Sequence, residues 1–119
     1  MTLMQLAFLC TLQQANLNYK DFESFYRDWE MLPVIVNGEK AGVILMNGPE
    51  VHPCILPKYF GYWFNKSIVS EVRKRISKYG KLTTQTLETC SVGIKFAKRI
   101  GFSKTGKTNG VIQWELLHL

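Results

Sequence analysis

The chain has 119 residues, 46% hydrophobic and 13% aromatic, with a formal net charge of +6 at pH 7. That length and composition exclude a disordered chain and supply one packed domain rather than two. Positions 58–107 hold twelve basic residues against Glu71 and Glu88, whereas positions 1–57 hold three basic and six acidic ones. A basic second half suits an anionic partner, either a phosphate-bearing cofactor or a nucleic acid. For any single lysine, a solvated helix face is the simpler explanation.

The opening run Leu3 to Leu12 is apolar, but no basic residue precedes it and no small-residue cleavage site follows. It is about half the length that spans a bilayer, so it reads as a buried first helix or strand, with no membrane role. Asp21 to Trp29 reads as a helix, because Phe22, Phe25, Tyr26 and Trp29 recur at i, i+3, i+4 and i+7 as one apolar stripe. Pro33 blocks its continuation. Pro33 to Met46 reads as a hairpin, with Val34–Val36 and Ala41–Met46 flanking the turn dipeptide Asn37-Gly38.

Asn47-Gly48-Pro49 is a second turn and Glu50 to Leu56 a further strand, whose Pro53 must interrupt ladder pairing at an edge or a bulge. Asn65 is an N-cap for a helix over Lys66 to Tyr79, with Ile68, Val69, Val72, Ile76 and Tyr79 as its buried stripe and Gly80 as its C-cap. Leu82 to Thr89 reads as a strand. Ser91 to Ile100 reads as a basic helix closed by Gly101, and Phe102–Thr105 and Val111–Leu117 as strands around the turn at 107–110. Cys10, Cys54 and Cys90 are odd in number and form no Cys-x-x-Cys pair. Structural zinc is therefore not expected, and a reduced, cytoplasmic setting fits.

The succession of helix, three strands, helix, strand, helix and two strands, with a Pro-Lys-Tyr-Phe-Gly loop and a helix ending in Ile100-Gly101-Phe102, resembles the acyl-CoA N-acyltransferase (GNAT) superfamily. More narrowly, it resembles the short phage-encoded members. The resemblance implies an α+β domain over residues 1–119, a GNAT-like mixed, mostly antiparallel sheet with helices packed on both faces. The family's usual first strand has no clear counterpart before Asp21. The family's cofactor motif, Arg/Gln-x-x-Gly-x-Gly/Ala, falls on Phe60-Gly61-Tyr62-Trp63-Phe64-Asn65. Backbone amides at a helix N-terminus wrap a pyrophosphate there, and glycines allow close approach. Here Trp63 replaces the first glycine, and its ring must turn inward if phosphate is to approach.

The resemblance therefore implies acetyl-CoA as cofactor, held by Lys58, Gly61, Tyr62, Trp63, Phe64, Asn65 and Lys66, with the amides of Tyr62 to Lys66 as donors. A second family signature ends in Gly-Phe. Aligned to it, Ala97 stands where a tyrosine often protonates the leaving thiolate, and Cys90 stands where an asparagine is usual. For the base that deprotonates an ammonium acceptor, Glu50 and His52 fall at i and i+2 on one strand, with Cys54 next in that row. The bland alternative is a solvated Glu50 and a packing histidine. A Cys54 nucleophile is the least favoured reading, because i and i+2 neighbours point in parallel.

Three readings follow. One is an enzyme moving acetyl from acetyl-CoA to an amine. Another is a non-catalytic phage virion or head-assembly protein, in host cytoplasm or virion, that keeps the fold as a scaffold. It would take a protein partner through an aromatic patch of Tyr59, Phe60, Tyr62, Trp63 and Phe64. Nucleic-acid binding through the basic helices is disfavoured, because those helices carry few aromatics and no recognised module.

Overall fold

The computed structural model describes residues 1–11 and 18–119. The elements are α1 (Leu3–Thr11), α2 (Tyr19–Tyr26), β1 (Glu30–Val36), β2 (Glu39–Asn47), β3 (Glu50–Ile55), a 3₁₀ turn (Pro57–Tyr59), α3 (Lys66–Tyr79), β4 (Leu82–Leu87), α4 (Ser91–Ile100), β5 (Ser103–Thr108) and β6 (Val111–Leu116). The six strands run in the order β1-β2-β3-β4-β6-β5. β3 and β4 pair in parallel at Glu50↔Thr83, and β1–β2, β4–β6 and β5–β6 pair antiparallel. This is the α+β, mostly antiparallel sheet expected from the sequence. Among the described residues before Asp21, Leu3–Thr11, Tyr19 and Lys20 are helical and none is in a strand, and Leu12 lies outside the described residues.

Two compact units make up the chain. The first is Met1–Asn47 with His52–Ile68, and the second is Gly48–Val51 with Val69–Leu119. In the first, Thr2 and Gln5 cap α1 reciprocally. Thr2 Oγ1 accepts from Gln5 N at 3.1 Å, and Gln5 Oε1 accepts from Thr2 N at 2.8 Å. Leu6, Ala7 and Cys10 of α1 then bury against Phe22, Val43, Leu45 and Cys54.

Asn18 caps α2 by accepting from the amides of Lys20 and Asp21, so this helix starts before the expected Asp21 and ends before Trp29. Phe22, Tyr26 and Trp29 face inward, but Phe25, expected in the same stripe, is 63% exposed. The helix ends at Tyr26, and Trp29 packs inward from beyond it.

Asn37 and Gly38 take φ of 50° and 80°, the left-handed pair that a tight hairpin requires. Pro33 lies within β1, opposite Val43. An outermost strand tolerates the missing amide hydrogen. The register slips between Val34 and Ile35, leaving Ala41 as the extra residue of a bulge in β2, and its carbonyl accepts from Leu56 N at 2.9 Å. Next to it, a Cβ on Gly42 would lie 2.2 Å from the Cys54 carbonyl oxygen and 2.9 Å from Ile55 Cα. Only glycine fits there.

In the second unit, the β3–β4 junction is closed by Thr83 N donating to the Pro49 carbonyl and Thr84 Oγ1 donating to the Val51 carbonyl. Gly80, at φ 80°, ends α3. Tyr79, expected in the buried stripe, is 37% exposed. Its ring instead lies 5.4 Å from the Arg75 guanidinium and 5.3 Å from the Lys78 ammonium, a surface cation–π stack. Ala97 of α4 buries against Ile112 and Trp114, with Ile94 and Phe102 packed beside them. Trp114 Nε1 donates to Thr86 Oγ1 at 2.9 Å, which satisfies the indole. Among the described residues, no helix is long and apolar enough to cross a membrane.

Candidate functional site

The segment from Pro57 to Lys66 leads from β3 into α3. Pro57 opens a 3₁₀ turn in which Phe60 N donates to the Pro57 carbonyl. The Tyr59 carbonyl then accepts from both Tyr62 N and Trp63 N, and the Trp63 carbonyl accepts from Asn65 N. The amides of Tyr62, Trp63 and Asn65, three of the expected phosphate donors, are thus engaged within the loop. The reason is local, since two tight turns in succession use up their own amides. The amides that head α3, at Lys66 and Ser67, have no intrahelical carbonyl to reach.

Asn65 caps that helix as expected. Its Oδ1 accepts from Ile68 N at 3.1 Å, while its Nδ2 donates to the Ile35 carbonyl at 3.2 Å. Trp63 is only 5% exposed, so its ring is turned into the protein and is not displayed on the loop. Phe64 meets it edge-on, with centroids 5.5 Å apart. Tyr59 is likewise buried, at 7% exposure, while Phe60 and Phe64 are half-buried and Tyr62 is 71% exposed. The expected patch of five surface aromatics is therefore reduced, in full exposure, to Tyr62. Trp63 and Tyr59 are buried instead. A Cβ on Gly61 would meet no atom within 4 Å, so the fold does not require a glycine there. Lys66 begins α3 and is exposed.

Lys58 is exposed and lies 3.7 Å from Glu39 Oε2 at the start of β2. The same Glu39 oxygen accepts from the Tyr59 hydroxyl at 2.8 Å. That hydrogen bond, with Lys58 adding to it, holds the Glu39 carboxyl below its ordinary range. In return, the bond to the carboxylate raises the Tyr59 phenol. Sequence reading did not find Glu39, because no local pattern links position 39 to position 59.

His52 is half-buried on β3. Its Nδ1 is 2.6 Å from the Tyr26 hydroxyl, and its ring lies 4.9 Å from that of Trp29, tilted by 42°. Sequence reading placed Tyr26 and Trp29 in a packing stripe and missed that they set this imidazole. The signal is long-range and has no trace in spacing. Glu50 is half-buried at the head of β3 in the second unit, opposite Thr83.

Cys54, next in the row, is 6% exposed and has Thr11 Oγ1 3.4 Å from its sulfur. Burial pushes its thiol up to about 11, far from a thiolate at neutral pH. Cys90 precedes α4, and Gly93 of that helix sits close to it, since a Cβ there would lie 3.1 Å from Thr86 Cγ2 and 3.3 Å from Cys90 Sγ. Among the described residues, no group of three or more His, Cys, Asp or Glu side chains could hold a metal ion.

No protein-family model matches the sequence, and no curated protein matches it. Solved structures do match. The ribosomal-protein-S18-alanine N-acetyltransferase from Escherichia coli has 15% identity over 98% of this chain and 88% of its own, with a TM-score of 0.67. A GNAT family acetyltransferase from Elizabethkingia anophelis, with acetyl-CoA bound, has 14% identity over 95% and 88%, with a TM-score of 0.67. The PaiA N-acetyltransferase from Thermoplasma acidophilum, in complex with coenzyme A, has 16% identity over 98% and 91%, with a TM-score of 0.66. Identities this low speak to architecture alone. The chain has the fold of the GNAT acetyltransferases.

Proposed function

We propose that this protein binds acetyl-CoA at the Lys58–Lys66 loop and transfers the acetyl group to an amine. The observation that carries this reading is the burial of Trp63. A tryptophan in place of the motif's first glycine would block a phosphate only if its ring stood on the loop surface. With the ring inside, the entry to α3 is left to backbone and to Lys66. A 14-residue helix with a side-chain cap at Asn65 and a cation at its first position suits an anionic group. The two solved relatives of this fold described above with acetyl-CoA or coenzyme A support the choice of ligand.

In that reaction the acceptor nitrogen attacks the thioester carbonyl, so an N–C bond forms and the C–S bond breaks. The nitrogen must shed a proton, and the departing thiolate must gain one. His52 is the candidate base, with its ring set by Tyr26 and Trp29. Ala97 cannot serve as the acid, because it is a methyl group sealed in the core at 2% exposure.

That sealed alanine favours a second reading, in which the fold binds an acyl-CoA or another partner without turning it over. A phage virion or head-assembly role belongs to this second reading. It rests on the sequence resemblance alone, because the solved structures named above are acetyltransferases of bacteria and an archaeon.

Titration with acetyl-CoA by calorimetry, at low and moderate salt, tests the first reading. Micromolar binding that survives moderate salt is the expected outcome, followed by acetyl transfer to a panel of primary amines. Lys66→Glu should weaken binding by reversing a charge beside the phosphates. Gly61→Ala should leave the melting temperature unchanged and lower only the affinity. Absence of binding by the unaltered protein at either salt concentration would overturn the cofactor assignment.

A further inference from the structure

We propose that Glu39 sets the affinity of the cofactor loop by competing with the ligand's phosphate for Lys58 while anchoring Tyr59. The inference rests on the acetyl-CoA reading above and concerns the same loop. Glu39 Oε2 accepts from the Tyr59 hydroxyl at 2.8 Å and faces the Lys58 ammonium at 3.7 Å. Lys58 also lies 5.3 Å from the centre of the Tyr59 ring. The three side chains make one cluster joining the loop to the first residue of β2.

The two partners of Glu39 differ in kind. Tyr59 is buried, and its hydroxyl is a neutral donor whose bond ties the loop's first turn to β2. Lys58 is 72% exposed and its bond is long, so water and salt compete with it. A pyrophosphate, with two charges shared over its two phosphoryl groups, competes with one carboxylate for such a lysine. In the free protein, Glu39 is thus a stand-in anion that the ligand displaces. The Tyr59 bond, the stronger influence on its carboxyl, keeps it in place when Lys58 leaves.

The two roles separate by substitution. Glu39→Gln keeps an acceptor for the Tyr59 hydroxyl but removes the charge that holds Lys58. It should bind coenzyme A about two- to five-fold more tightly at low salt, the range set by one exposed ion pair. The gain should shrink as salt rises and vanish in the Lys58→Ala background. Tyr59→Phe removes the anchor and should weaken binding, with its fold checked by circular dichroism.

The probe is coenzyme A itself, titrated into the unaltered protein, Glu39→Gln, Tyr59→Phe, and Lys58→Ala with and without Glu39→Gln. Unaltered affinity in Glu39→Gln, or a gain that persists without Lys58, overturns the inference and leaves the cofactor reading intact. Absence of binding by every one of these proteins overturns the cofactor reading and the inference with it.

Discussion

Burial holds the Cys10 and Cys54 thiols neutral, each pushed up to about 11 from an ordinary 9.0. A folded-state value above the unfolded one stabilises the protein fully at low pH. That contribution is then lost as pH rises through the interval between the two values. Denaturant midpoints measured from pH 8 to 11 should therefore fall more steeply in the unaltered protein than in Cys54→Ala, which lacks one of the thiols. At pH 8, a maleimide should modify half-buried Cys90 well before Cys10 or Cys54, and mass spectrometry of the labelled protein reads the order.

Ala97 gives a second residue-scale test. Its Cβ is packed beside Ile112 and Trp114, so Ala97→Tyr overfills that cluster and should cost about 1–3 kcal/mol of stability. It should not improve acetyl transfer, since the added phenol must first find room. The sequence revealed the missing tyrosine but not the sealed pocket, because who packs against residue 97 is decided at residues 112 and 114.

At the scale of elements, legibility followed locality. α3 and α4 begin and end as expected; Asn65 and Gly80 bound α3 and Gly101 closes α4, each within one turn of the helix, while the start of α4 has no side-chain cap. α2 begins at Tyr19 and not at Asp21 because its cap, Asn18, lies before the apolar stripe. β1 begins at Glu30 and not at Pro33, because an edge strand absorbs a proline. Two substitutions test elements directly. Gly42→Ala forces a Cβ into the backbone of β3 and should be severely destabilising, with loss of a cooperative thermal transition as the readout. Asn65→Ala removes the cap of α3 and should cost about 1 kcal/mol by denaturant titration. It also frees the loop from the Ile35 carbonyl, so coenzyme A affinity should fall beyond what stability explains.

For the whole molecule, the element order and sheet class were readable because hydrophobic period and turn residues repeat down the chain. The site was readable only along the chain. The loop's position and its Trp63 were visible, but the partners that shape it, Glu39 and Ile35, and those of His52, Tyr26 and Trp29, come from more than twenty residues away or close to it. Both outer strands carry features that resist edge-to-edge association, Pro33 in β1 and Lys104 and Lys107 in β5.

The two hairpins share one further property. Asn37-Gly38 and Asn109-Gly110 both close with consecutive left-handed residues, which sets the pairing next to each turn before a bulge shifts it farther along. The same dipeptide is chemically short-lived. A glycine amide, unshielded by any Cβ, can attack the asparagine side chain and convert it through a cyclic imide to aspartate or isoaspartate. Isoaspartate lengthens the main chain at the turn, so the residues that set strand register also set a clock on it. At Asn37 that clock runs between Ile35, which holds Asn65, and Glu39, which holds Tyr59, so ageing of the protein would reach the candidate cofactor loop from the hairpin side.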